Sequence, residues 1–164
     1  MEILIRKASV KDAEKISSIW SVICSERKYS AINKPFTPEQ EKEYISNLSD
    51  REGIFVAEVD DQIIGFQSLD KWINYSDSFE HVGTIGTFIL PLWRKKQIGK
   101  KIATFVFNFA RKNGYEKLVI YVRARNTNAI DFYKDLGFIE KGVLTRQVKI
   151  DNIYEDEIFM EKFL

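Results

Sequence analysis

Between Val82 and Ala110 the chain changes its hydrophobic period once, and that change fixes the class of fold. Val82 to Leu90 is an uncharged, largely apolar run with the length of one strand, and Pro91, which has no backbone N–H, closes it. Ile98, Ile102, Phe105, Val106, Phe109 and Ala110 then recur at helical spacing, and Asn113-Gly114 stops the helix. A strand feeding straight into an amphipathic helix belongs to an α/β chain whose helix packs back on the sheet.

The rest of the chain fits that frame. Ile3-Leu4-Ile5 suits a strand, and Ser9 to Asp12 offers a cap to a helix with Ile16, Ile19, Trp20 and Ile23 on one face. Thr37-Pro38-Glu39-Gln40 sets a cap and an N1 proline for a second helix through about Leu48. Ile54 to Ala57 and Ile63 to Phe66, joined through Asp60-Asp61, read as a hairpin. Leu118 to Val122 is a buried strand, Asn126 to Leu136 a short helix closed by Gly137, and Phe138-Ile139 with Ile153 to Phe163 the last strands. The expected order is βααβββαβαββ, a mixed central sheet of about six to seven strands flanked by about four helices. Gly83 and Gly86 are expected to form a bulge in their strand. No repeat or linker-like stretch interrupts residues 1–164, which read as one unit.

Composition removes several functions. One cysteine cannot close an intrachain disulfide, and Cys24 with His81 cannot furnish a zinc site, so no metal is expected. Met1-Glu2-Ile3-Leu4 lacks the basic start of a signal peptide, and no apolar run approaches the roughly 20 residues of a membrane helix. A cytoplasmic protein without a membrane partner is expected. With 25 Lys+Arg against 24 Asp+Glu, the net charge of +1 exerts no general pull on nucleic acid. Clustered bases at Arg94-Lys95-Lys96, Lys100-Lys101 and Arg123-x-Arg125 lack the interleaved aromatics of a nucleic-acid surface, so no such partner is expected.

The segment Ile89-Leu90-Pro91-Leu92-Trp93-Arg94-Lys95-Lys96-Gln97-Ile98-Gly99-Lys100-Lys101 carries the clearest chemical signal. A strand ends, a basic turn follows and a helix opens, so free backbone N–H groups and the positive helix end face one point suited to an anion such as a diphosphate. Gly99 would let a phosphate approach the backbone. The spacing excludes a P-loop, because Arg94 stands where that loop has glycine and Lys101 where it has Ser or Thr. Gly83 and Gly86 are also too far apart for a dinucleotide fingerprint.

A second motif is Asn126-x-x-Ala129-x-x-x-Tyr133-x-x-Leu136-Gly137-Phe138. Together the two segments resemble the Gcn5-related N-acetyltransferase (GNAT) family, whose first motif reads Gln/Arg-x-x-Gly-x-Gly/Ala. Arg94 and Gly99 match that pattern, and Gln97 replaces its first glycine. The resemblance implies the GNAT fold and an acetyl-CoA-dependent transfer of acetyl directly to a primary amine, such as a protein N-terminus, a polyamine or a small molecule. It implies that Phe88, Ile89 and Leu90 pair their main chains with the pantetheine arm, and that Arg94, Lys95, Lys96, Gln97, Ile98, Gly99, Lys100 and Lys101 hold the pyrophosphate. Asn126 would contact the cosubstrate, and Tyr133 would stand at the sulfur as general acid. Members of the family often form homodimers, although no interface is marked in these residues. The alternative from a different class is a non-catalytic acyl-CoA-binding regulatory domain.

A lysine-like amine with a pKa of about 10.4 needs about 4.6 kcal/mol to become neutral at pH 7, so a base or a water relay is expected. Glu26 in the loop between the first two helices is the preferred candidate, ahead of Glu80, His81, Glu155, Asp156 and Glu157. The strand positions where some relatives carry a glutamate hold Thr84, Ile85 and Gly86. Gln97 keeps its N–H usable in a helical or bridge conformation, with which cosubstrate binding is expected to survive, whereas a position that requires positive φ would count against it.

Overall fold

The computed structural model describes residues 2–164. The strands are β1 (Leu4–Lys7), β2 (Gly53–Val59), β3 (Gln62–Lys71), β4 (Val82–Ile89), β5 (Lys117–Arg123), β6 (Ile139–Ile150) and β7 (Ile153–Phe163). The helices are α1 (Ala13–Ser25), α2 (Pro38–Asn47), α3 (Ile98–Lys112) and α4 (Thr127–Asp135). They build one seven-stranded mixed sheet in the order β1-β2-β3-β4-β5-β7-β6, in which only β4 and β5 run parallel.

Local chemistry sets most boundaries where the sequence marks them. Thr37 accepts from the Gln40 N–H while Gln40 returns a bond to the Thr37 N–H, a capping box that starts α2. Asp60 and Asp61, both at positive φ, turn β2 into β3. Gly137, at φ +91°, ends α4.

Alternation along the strands divides the core between the two faces of the sheet. Phe55, Leu69, Ile85, Leu118 and Ile120 pack under α3, and Ile54, Val56 and Phe66 pack under α1. The bulge expected at Gly83 and Gly86 is absent, since β4 pairs with β3 without a break in register. Crowding explains Gly83 instead: a Cβ there would lie 3.1 Å from Leu118, Leu69 and the Tyr115 ring.

The first turn of the chain is tied down by charge. Arg6 makes a two-pronged pair with Asp12 (2.9 and 2.8 Å) and also reaches Glu58. The hydrogen bond from Arg6 is the main reason the Asp12 carboxyl drops from the ordinary 3.8 to about 2. This folded value lies below the unfolded one, so the stabilisation is present above about pH 4 and is lost as the pH falls through about 2. Asp12→Asn should therefore cost about 2 kcal/mol at pH 7 and almost nothing near pH 2, read by urea denaturation at both values.

Candidate active site

β4 and β5 pair only from Val82 to Thr84 on β4, and beyond that point the two parallel strands separate. The wedge between them opens into a cavity of about 690 Å³ lined by Thr87, Ile89, Gly99, Asn126 and Tyr133 among others. The direction of the β4 main chain along this wedge follows from one bond. Leu90 N–H donates to the Ile64 carbonyl (3.0 Å), so Leu90 and, two residues earlier, Phe88 turn their polar groups toward β3. Thr87 and Ile89 therefore present theirs to the wedge. The Leu90 carbonyl is also occupied, by the Trp93 N–H (2.9 Å). Of the three residues expected to pair with an extended arm, only Ile89 has main-chain groups on the open side, its N–H unoccupied among the described residues and its carbonyl accepting Arg94 Nε, and Thr87 joins it.

At the mouth, α3 begins with no side-chain cap, and its first intrahelical bond runs from Lys101 N–H to the Gln97 carbonyl (3.1 Å). The N–H groups of Ile98, Gly99 and Lys100 thus remain at the positive helix end, where they can receive an anion. Lys95, Gln97 and Lys100 line the cavity, whereas Lys96 and Lys101 do not; Lys96 lies 5.0 Å over the Trp93 ring. Gly99, which lines the cavity, has a further reason to be glycine. A Cβ on it would meet the Phe132 ring at 3.0 Å, so the glycine lets α3 pack on α4.

Gln97 takes φ +63°, the left-handed region, and Lys95 takes φ +58°. The helical or bridge conformation expected of Gln97 is not the one it adopts; the turn needs positive φ there, which glycine enters without strain. Gln97→Gly should raise stability by about 0.5–1 kcal/mol, the left-handed strain relieved outweighing the entropy glycine adds to the unfolded chain. Thermal melting of the variant checks this directly.

Arg94 and Glu26 correct each other. Arg94 donates Nη1 and Nη2 to the two Glu26 oxygens (2.7 and 2.6 Å) and Nε to the Ile89 carbonyl (2.9 Å), and its guanidinium lies 5.1 Å from the Tyr29 ring centroid. With both carboxylate oxygens taken by one guanidinium, Glu26 is not placed to accept a proton from a substrate, and Arg94 is not free to clamp a diphosphate. The pair instead pins the end of α1 to the turn after β4.

Tyr133 lies on the floor of the wedge, 6% exposed. Its hydroxyl donates to Thr87 Oγ1 (3.0 Å), which also accepts from Gln67 Nε2 (2.7 Å). Gln67 is fully buried and its Oε1 has no partner. Burial pushes the Tyr133 phenol above its usual value, and hydrogen bonds with Thr87 offset that only in part, so the phenol holds its proton at neutral pH. Asn126 caps α4 through the Ala129 N–H (3.1 Å) and donates Nδ2 to the Tyr29 carbonyl (3.3 Å), tying the α1–α2 loop to the cavity rim.

The remaining base candidates are scattered. His81 and Glu80 precede β4 at its far end, and Glu155 is held by Arg123 (2.8 and 2.6 Å). The Asp156 Oδ1 accepts the Arg146 N–H (2.7 Å). Glu157, buried beside Arg123 with its pKa raised by burial, does not line the wedge cavity. A second cavity, of about 710 Å³, lies on the α1/α2 face of β3 and β4, and holds Asp70, Tyr44 and Glu41. None of these three was singled out from the sequence. Polar Gln67 and Ser68 inside the otherwise apolar run from Ile63 to Leu69, and acidic Asp70 at its end, were the available signal.

The sequence pattern described as the acetyltransferase (GNAT) family matches residues 18–138. An uncharacterized N-acetyltransferase of Methanocaldococcus jannaschii is 34% identical over 96 residues, which cover 58% of this chain and 42% of that protein. The match thus spans less than half the length of that relative. Among solved structures, a ribosomal-protein-alanine N-acetyltransferase from Brucella melitensis superposes with a TM-score of 0.91 at 22% identity, covering 98% of this chain and 99% of the other. A phosphinothricin acetyltransferase from Sinorhizobium meliloti, in complex with acetyl-CoA, gives 0.91 at 17% identity, covering 100% of this chain and 89% of the other. At these identities the structural likeness speaks for the fold.

Proposed function

The chain belongs to the acetyltransferase (GNAT) family, and from that premise we propose that residues 1–164 act as one unit that moves acetyl from acetyl-CoA directly to a primary amine. The observation that carries this reading is the wedge itself: an open β4 edge, an uncapped helix end at its mouth and a protonated phenol on its floor. The pantetheine arm adds to the Thr87–Ile89 edge as an extra strand would. The diphosphate sits on the N–H groups of Ile98, Gly99 and Lys100, with Lys95 and Lys100 supplying charge. Asn126 borders the arm.

In the reaction the neutral amine nitrogen bonds to the acyl carbon and the C–S bond breaks. Tyr133 gives its proton to the leaving sulfur, whose conjugate thiol has a pKa of about 8.5, and the proton shed by the nitrogen restores the phenol over the turnover. Binding of acetyl-CoA by calorimetry, together with thiol release in the presence of amines, tests the reading. Micromolar binding with turnover is expected; binding without turnover on any amine would favour a regulatory acyl-CoA-binding domain, and no binding would remove both.

A further inference from the structure

The second cavity has a character of its own. Trp20, Phe66 and Phe88 form an aromatic wall, with Trp20 and Phe88 ring centroids 4.3 Å apart and Phe66 and Phe88 5.2 Å apart. Glu41, Glu43 and Asp70 line it, and among the described residues no lysine or arginine does. Asp70 stands directly across from Thr84, so its carboxyl shares the face of β4 that carries Gly86 and Phe88. The Tyr44 hydroxyl donates to Asp70. Glu41 is 3% exposed, and its Oε2 has no hydrogen-bond partner although the residue lines the cavity. A buried carboxyl oxygen without a donor is a cost that a ligand N–H removes.

The cavity also has a route to the chemistry. Gly86 and Phe88 face it, Thr87 between them faces Tyr133, and Phe88 borders both cavities. An amine seated there meets an acyl group in the wedge across the free edge of β4.

Resting on the transferase reading above, we infer that this cavity seats the acceptor, a primary amine with an apolar or aromatic body and no acid group, its ammonium received by Asp70 and Glu41. The aromatic wall takes the body and adds a cation–π attraction for the head. On binding, an ammonium N–H bond breaks and an O–H bond forms on Asp70, whose proton affinity burial raises, leaving the neutral nitrogen to attack; Asp70 gives that proton to water as the product leaves, so one proton is released per turnover. An acceptor with carboxylate or phosphinate groups meets three carboxyl side chains and no counter-charge.

The test compares 2-phenylethylamine, spermidine, phosphinothricin and an alanine-terminated peptide as acceptors at saturating acetyl-CoA. We expect kcat/KM for 2-phenylethylamine to exceed that for phosphinothricin by roughly 100-fold or more. Asp70→Asn should raise KM for the amine about 10-fold and lower kcat, with the Kd for acetyl-CoA unchanged. Glu41→Gln, which keeps the shape of the side chain, should raise KM in the same direction and guards against a fold defect in the first variant. A best rate with spermidine, the peptide or phosphinothricin, or an unchanged amine KM in both variants, overturns the assignment while leaving the transferase reading in place. Failure to bind acetyl-CoA overturns both.

Discussion

Tyr133→Phe is expected to lower kcat by roughly 10²- to 10³-fold while changing the Kd for acetyl-CoA by less than about threefold. The argument is one of position and protonation. The phenol is buried on the floor of the wedge, holds its proton at neutral pH, and is aimed by its 3.0 Å bond to Thr87. Phenylalanine keeps the ring, which packs 5.4 Å from Phe138 and 5.1 Å from Phe132, so the cavity wall survives. What disappears is the proton donor and one partner of the Thr87 hydroxyl, a loss of about 1 kcal/mol in stability. Thr87→Val separates aiming from donation: the phenol stays but loses its side-chain partner, and kcat should fall only about fivefold. Steady-state thiol release against a titration of acetyl-CoA reads both variants. If Tyr133→Phe kept the kcat of the parent protein, the phenol would be a core side chain and the acid role would be void.

What was legible in the sequence is what local chemistry dictates. Thr37 and Asn126 cap their helices, Pro91 ends β4, and Gly137 closes α4, because each effect is decided within a few residues. The place of Tyr133 on a short helix was legible because its motif is local as well. The readings that changed depend on partners distant in sequence. Arg94 looked like a free phosphate ligand, but Glu26, 68 positions away, occupies it. Leu90 looked like part of an open edge, but its N–H belongs to Ile64 on β3. Asp70 went unnoticed because its place in the second cavity comes from standing across from Thr84 and beneath Tyr44, two contacts that only the sheet register and the seating of α2 create. Gln97 shows the limit from the other side, since a single residue type does not announce a positive φ when it is not glycine.

Arg123 shows how far such a distant contact can reach. In the sequence it belongs to a basic Arg-x-Arg pair; in the fold it is 4% exposed and bound two-pronged to Glu155. Its Nη1 also donates to the carbonyls of Arg27 (3.1 Å) and Ser30 (3.0 Å), so one side chain ties the loop after α1 to β5 and β7. The guanidinium is the first cause holding the Glu155 carboxyl below the usual range, so the acid stays charged inside the protein. Arg123→Ala leaves that charge with only the exposed Arg125 guanidinium, 3.7 Å away, and two loop carbonyls without their donor, and should cost about 3 kcal/mol, a fall of roughly 10 °C in Tm. Arg27→Ala, which breaks the exposed pair with Asp151 and a bond to the Asn33 carbonyl (3.1 Å), should cost far less. The double variant Arg123→Met with Glu155→Leu should recover most of the loss, since it is the unpaired buried charge and not the missing pair that destabilises. The loop freed in Arg123→Ala carries Tyr29 on the wedge and leads to Ile32 and Phe36 on the second cavity, so KM for both substrates should rise together. Urea denaturation of the single and double variants decides the point: equal stabilities would mean that Glu155 is satisfied by Arg125 or water once Arg123 is gone, and the loop would then be held by its other ties, the Arg94–Glu26 pair and the Asn126 bond to the Tyr29 carbonyl among them.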